Sequence, residues 1–131
     1  MNDRGKLALQ NLGQALDRLE EVLNVSPSEN NYVIDATIQR FEFVIELYWK
    51  TFKHLLAAQG KTTSLPKASL QEAYAAGWIC DEKLWLNMMR DRNLTSHTYK
   101  EKNAQEIYKN IRTYYPEMRQ VYRKLCALSP S

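Results

Sequence analysis

The stretch Ile34-Asp35-Ala36-Thr37-Ile38-Gln39-Arg40-Phe41-Glu42-Phe43-Val44-Ile45-Glu46-Leu47-Tyr48-Trp49-Lys50-Thr51-Phe52-Lys53-His54-Leu55 decides the fold. Within it Ile34, Ile38, Phe41, Ile45, Tyr48, Phe52 and Leu55 recur at alternating steps of four and three, which keeps them on one face of an α-helix. Gly60 follows, a residue suited to the left-handed position that closes a helix. Upstream, Leu9, Leu12, Leu16, Leu19 and Leu23 repeat the same alternation. The polar, proline-bearing Ser26-Pro27-Ser28-Glu29-Asn30-Asn31 reads as the loop between the two helices.

Downstream the pattern stays helical. Gly60 to Lys67 is expected to be a loop. Ser69-Leu70-Gln71-Glu72 resembles a capping box, with serine and glutamate three apart, opening a short helix that stops at Gly77. Asp81 is a plausible N-cap for a helix carrying Trp85, Leu86, Met88 and Met89. A last helix is expected from near Asn103, with Ile107, Ile111, Tyr114, Met118 and Leu125 facing inward. Pro116 should break or kink it, because proline removes a helical hydrogen bond and crowds the preceding turn. No strand alternation and no internal repeat is visible. The expectation is an all-α bundle of about five helices forming a single domain over residues 1–131.

Composition narrows the class. The chain has 131 residues, enough to bury a core without disulfides or metal. A net charge of +3 is too weak to indicate nucleic-acid binding by itself. Cys80 and Cys126 lie far apart with no histidine at ligand spacing, so they read as reduced, buried thiols. No apolar run approaches the roughly 20 residues that span a bilayer. The N-terminal Met1-Asn2-Asp3-Arg4-Gly5-Lys6 lacks the apolar segment of a secretory leader. A soluble, cytoplasmic protein without membrane contact is therefore expected.

Several candidate sites reduce to packing or solvated surface. Trp49, Trp78, Trp85, Phe41, Phe43 and Phe52 mostly lie at or beside core positions, so they read as core rather than as a base-stacking platform. A di-iron bundle needs a Glu-x-x-His pair on each of two helices. The positions three before His54 and His97 hold Thr51 and Leu94. Zinc lacks a ligand set too. His54 reads as a histidine near a helix end. The basic sets Lys50, Lys53, His54 and Arg112, Arg119, Arg123, Lys124 read as solvated faces that guide an RNA backbone only if they flank the next motif.

That motif is Arg92-Asn93-Leu94-Thr95-Ser96-His97-Thr98-Tyr99. It combines a permanent cation, able to bind phosphate bidentately, with the side chain that titrates near neutral pH. A bland reading pairs Arg92 with Asp91 or a helix-borne glutamate and has His97 cap a helix end. The chemical reading is phosphodiester cleavage. Metal-free RNA cleavage needs a base for the 2′-hydroxyl, an acid for the leaving oxygen and positive charge for the phosphorane. One chain offers one histidine here. On a continuous helix, moreover, positions 92 and 97 differ by about 140°. Either the helix ends within the motif or the site draws on two chains, and a symmetric dimer supplies two copies of each residue.

Taken together, Ile38–Thr51 and Asp91–Tyr99 resemble the HEPN superfamily, and more closely the nucleotidyltransferase substrate-binding proteins and HepT toxins. The first stretch is similar to that family's second-helix signature. The second fits Arg-x4–6-His with a polar residue after the arginine, and the HepT form Arg-x4-His-x-Tyr. The likeness runs from about Leu7 to Leu125. It implies an up-and-down helical bundle, with a HEPN-like four-helix core, that forms a homodimer with the motif at the two-fold axis. It implies metal-independent endoribonuclease activity in the toxin members and a minimal nucleotidyltransferase as antitoxin partner.

On this resemblance Arg92 and His97 match the catalytic pair, and Tyr99 matches the tyrosine that the partner adenylylates. Asn93 is expected to orient one of the pair, and Glu42 or Glu46 to hold Arg92 from the second helix. RNA is the expected substrate, with no cofactor and no metal. Two competing readings are a non-catalytic subunit presenting substrate to a nucleotidyltransferase, and a helical interaction module without nucleotide chemistry.

Overall fold

The computed structural model describes residues 3–27, 32–97 and 101–128, the side chains of residues 95–97 and 101–102 excepted. Five α-helices follow in chain order: α1 (Asp3–Leu23), α2 (Tyr32–Ala58), α3 (Pro66–Ala75), α4 (Glu82–His97) and α5 (Glu101–Ala127). No strand occurs among the described residues.

Both leading stripes are buried as their spacing predicts. Leu12, Leu16 and Leu19 of α1 are wholly inaccessible, as are Phe41 and Phe52 of α2. Val44 and Leu56 are buried as well, so α2 presents more than one stripe to its neighbours. It packs against each of the other four helices, whereas α1 touches only α2 and α5, and α3 only α2 and α4. Aromatic rings carry the contacts outward from α2. Phe41 stacks on Tyr114 of α5 with centroids 5.9 Å apart, and Tyr48 meets the edge of Trp85 of α4 at 4.8 Å. The Tyr48 hydroxyl donates to the Met118 carbonyl of α5, so its polar end is satisfied inside the core.

Local signals set the ends of α2 and α3. Gly60 and Gly77 take positive φ, 84° and 82°. Lys61 N–H donates back to the Leu56 carbonyl and Trp78 N–H to that of Ala73, the six-to-one bond of a Schellman cap. Asp81 caps α4 as its type predicts, Oδ1 accepting from Leu84 N–H at 3.0 Å.

Four expectations are corrected. The short helix begins at Pro66, with no side-chain cap on Leu65, because proline's fixed φ suits a first helical turn. Ser69 is inside that helix and buried, its hydroxyl sharing a 2.7 Å hydrogen bond with Thr63. Pro116 does not break α5, which runs unbroken to Ala127. Pro116 lies on the exposed side, while buried Ile111, Tyr114, Met118 and Val121 hold the helix on the other side. Cys80 and Cys126 are free but exposed, one in the turn before α4 and the other on the outer face of the last turn of α5. Phe43 is likewise 58% exposed, unlike Phe41 and Phe52.

One polar link ties α4 to α5. Asp91 is 3% exposed, and its Oδ2 accepts from the Tyr114 hydroxyl at 2.6 Å and the Asn110 amide at 3.1 Å. Burial, then the hydrogen bond to Asp91, pushes the Tyr114 phenol well above its ordinary value. Removing the hydroxyl in Tyr114→Phe is expected to destabilise the fold by about 1.5–3 kcal/mol, measured by urea unfolding, because a buried carboxylate loses a donor. A raised folded-state pKa means that this stabilisation is complete below the unfolded tyrosine value of about 10 and is lost as pH rises through the folded value. The drop in Tm between about pH 8 and pH 11 is therefore expected to be larger in the parent than in Tyr114→Phe.

Candidate functional site

Residues 92–97 of the Arg92 motif are carried by the C-terminal half of α4. Trp85 and Met88, both fully buried, pin the first turns of that helix, and Trp85 Nε1 donates to Glu117 Oε2 of α5 at 3.1 Å. Asp91 then fixes the roll of the helix about its axis. With position 91 turned into the α4–α5 seam, position 92 falls about 100° further round, on the side of α2.

There Arg92 Nη2 lies 3.7 Å from Glu46 Oε2. Glu46 also lies 3.6 Å from Lys50 Nζ and accepts from Trp49 Nε1 at 3.2 Å. Each partner of the Arg92–Glu46 pair is about one-third exposed, so the contact is worth at most about 1 kcal/mol. Its effect is on direction: it keeps the guanidinium against α2 in an open groove of about 680 Å³. The groove is formed by α1, α2 and α4, and Arg18, Arg40, Glu42 and Phe43 border it with Arg92.

The structure thus brings Arg92, Glu42 and Glu46 to one cavity. Asn93 goes elsewhere, lining a separate depression of about 460 Å³ with Leu86, Met89 and Arg90. The backbone of His97 closes α4, while its side chain and all of Tyr99 lie outside the described residues. Because α4 continues through position 97, the helix does not end between Arg92 and His97, and the two positions keep their offset of about 140°. Asp91, which the bland reading pairs with Arg92, spends Oδ2 on α5 instead.

The second basic set does not reach this groove. Arg112 donates to the Leu23 carbonyl and the Tyr108 hydroxyl, and Arg119 to Asp17 and Tyr115, stacking over the Tyr115 and Tyr122 rings. These cations brace the α1–α5 seam. Arg18, Arg40 and Gln39 are groove residues that the sequence reading leaves out. A signal exists for part of this: Gln39, Glu42, Phe43 and Glu46 follow an i, i+3, i+4, i+7 pattern, a second stripe on α2 beside the apolar one. Among the described residues no group of three His, Cys, Asp or Glu is placed to hold a metal ion, and no helix is long and apolar enough to cross a membrane.

Residues 7–127 match the family model described as nucleotidyltransferase substrate binding protein like. A Haemophilus influenzae protein named "Probable ribonuclease HepT" is 34% identical over 122 residues, covering 81% of this chain and 83% of that protein. A solved Thermus thermophilus structure superposes with a TM-score of 0.79 at 33% identity, covering 87% of this chain and 98% of the other. A Haemophilus influenzae structure, described as revealing the fold of a substrate binding domain of a nucleotidyltransferase, gives 0.76 at 31% identity, with coverage of 89% and 98%. The fold is also that of a tri-AMPylated Shewanella oneidensis HEPN toxin solved in complex with its MNT antitoxin, with a TM-score of 0.79 at 16% identity and coverage of 98% and 100%. The chain belongs to the nucleotidyltransferase substrate-binding protein family, the HepT-like branch of the HEPN fold.

Proposed function

We propose that this protein is a metal-independent endoribonuclease of the HEPN type, the toxin of a pair whose antitoxin is a minimal nucleotidyltransferase, acting as a homodimer in the cytoplasm. The observation that carries this reading is the placement of Arg92: a guanidinium held by Glu46 at the wall of an open groove, on the same helix as His97 and five residues before it. The relative named as a probable ribonuclease supports it.

In this mechanism His97 of one subunit takes the proton of the RNA 2′-hydroxyl, and the partner's His97 protonates the departing 5′-oxygen. Arg92 binds the scissile phosphate and offsets the charge that builds on the phosphorane. The unbroken helix through position 97 favours two chains over one, since a single α4 separates the two positions by about 140°. Glu46 acts as the positioning residue for Arg92, and Glu42 borders the same groove. Asn93, on another flank of α4, orients the motif from outside the groove.

Tyr99 is the regulatory residue. Its phenolate oxygen attacks the α-phosphorus of ATP, releasing pyrophosphate and leaving a tyrosyl-AMP whose phosphodiester carries one negative charge. Set two residues beyond His97, that group competes with substrate phosphate for Arg92. That a Shewanella oneidensis HEPN toxin of the same fold is tri-AMPylated supports AMP transfer as the chemistry of this regulation.

The second reading is a non-catalytic subunit that presents substrate to the nucleotidyltransferase, and the description of the Haemophilus influenzae structure favours it. The two separate on a direct assay. Purified parent protein is expected to cleave RNA in the presence of EDTA, and His97→Ala to lower the rate by about 10²–10⁴-fold. Equal rates for the parent and His97→Ala refute the histidine assignment, and no cleavage by either favours the second reading. Incubation with the partner enzyme and ATP is expected to add AMP to the peptide containing Tyr99, read by mass spectrometry, and to stop cleavage. Inhibition with an unmodified Tyr99 points instead to masking by complex formation.

A further inference from the structure

The groove beside Arg92 carries more than a phosphate-binding residue. Gln39, Glu42, Phe43 and Glu46 turn one stripe of α2 toward it, while Arg18 and Arg40 close it from the α1 side. Its volume of about 680 Å³ lies within the range of small-molecule sites, about 300–1,000 Å³. We infer that it is a binding subsite for a single-stranded guanine nucleotide of the RNA substrate, next to the scissile phosphate. This rests on the ribonuclease reading for its substrate, but not for its geometry.

Phe43 supplies the stacking surface. It is the exposed phenylalanine of α2, bordering the groove while Phe41 and Phe52 are wholly buried. An unpaired base has a π-face that stacks on such a ring whatever its identity. Selectivity then comes from the carboxylates. Glu46 is occupied by Arg92, Lys50 and Trp49. Glu42 is half-buried at the same groove and makes no hydrogen bond or ion pair among the described residues.

A carboxylate is an acceptor only, with two oxygens side by side. Guanine presents two adjacent donors on its Watson–Crick edge, N1–H and the 2-amino group, which match those oxygens bidentately. Adenine and cytosine place a ring-nitrogen acceptor beside their amino group and repel the second oxygen, and uracil offers one donor between two carbonyls. Gln39, one turn before Glu42, carries an amide able to donate to O6. Arg40 spends Nη1 on the Arg18 carbonyl at 2.7 Å. Its other N–H donors and the exposed Arg18 stand ready for the flanking phosphates.

The test uses the full-length His97→Ala protein, which leaves RNA intact, and fluorescein-labelled oligouridylates bearing one central guanosine, inosine or adenosine. Fluorescence anisotropy is expected to show guanosine bound about tenfold or more tighter than adenosine. Inosine, lacking the 2-amino group, should fall between them. Adding Glu42→Gln is expected to bring guanosine down to the level of adenosine, and adding Phe43→Ala to weaken all three, with thermal melts confirming that each variant is folded. Equal binding of guanosine and adenosine overturns the inference, as does a guanosine preference that survives Glu42→Gln. So does a Phe43→Ala protein that changes its oligomeric state in light scattering, since a second copy would then cover the groove. A parent that binds guanosine selectively yet cleaves no RNA refutes the nuclease reading and leaves the subsite standing; cleavage without base preference does the reverse.

Discussion

The geometry of the candidate site depends on one buried carboxylate. Asp91 has almost no solvent access and accepts from two donors on α5, Tyr114 and Asn110, one helical turn apart. A buried charge is tolerated only where hydrogen bonds replace its water, so the two donors and the acid stand or fall together. Because the pair of bonds grips α4 from one direction, it fixes which way every later residue of that helix faces. Arg92 meets Glu46 at the α2 groove as a consequence, and Asn93 turns away from it.

The groove inherits its other wall from α2, the helix that touches all the others. A helix packed on several sides has little rotational freedom, since any roll exposes Phe41 or Phe52 and drives a polar residue inward. Gln39, Glu42, Phe43 and Glu46 are therefore presented on a rigid support. A long, pliant cation, Arg18 of α1, is placed beside that support rather than forming it. Such a division suits a site that must tell one small group from another, because discrimination needs fixed partners and phosphate capture does not.

Much of this was legible in the residues, for an identifiable reason. The apolar stripes of α1 and α2 are long and regular, and burial follows periodicity when a helix has a core to face. Gly60, Gly77 and Asp81 act locally, so their sequence neighbourhoods suffice. The misreadings share a different origin. Ser69 has the pattern of a cap, yet Thr63 and the proline at position 66 decide its fate. Pro116 has the chemistry of a breaker, but packing along the opposite face of α5 outweighs one lost hydrogen bond. Asp91 resembles any surface acid until Tyr114, 23 residues later, is brought against it. Arg18 joins the groove only because α1 lies across α2, a relation that no spacing within either helix records.

The short helix α3 is a unit of local stability in its own right. It touches α2 and α4 and neither α1 nor α5, and it buries little beyond Ser69, Leu70 and Ala73. Glycine caps punctuate the chain at both of its flanks. Its release would leave the packing of α1 and α5 against α2 in place, so its free energy of opening lies below that of the whole fold. Native-state hydrogen exchange would register this as a cooperative block of fast amides over residues 67–75. When that block lifts, Lys67 leaves the depression it lines with Leu86 and Met89 of α4, while Arg92 keeps its contact with Glu46 of α2. The two sides of α4 thus have different lifetimes in solution.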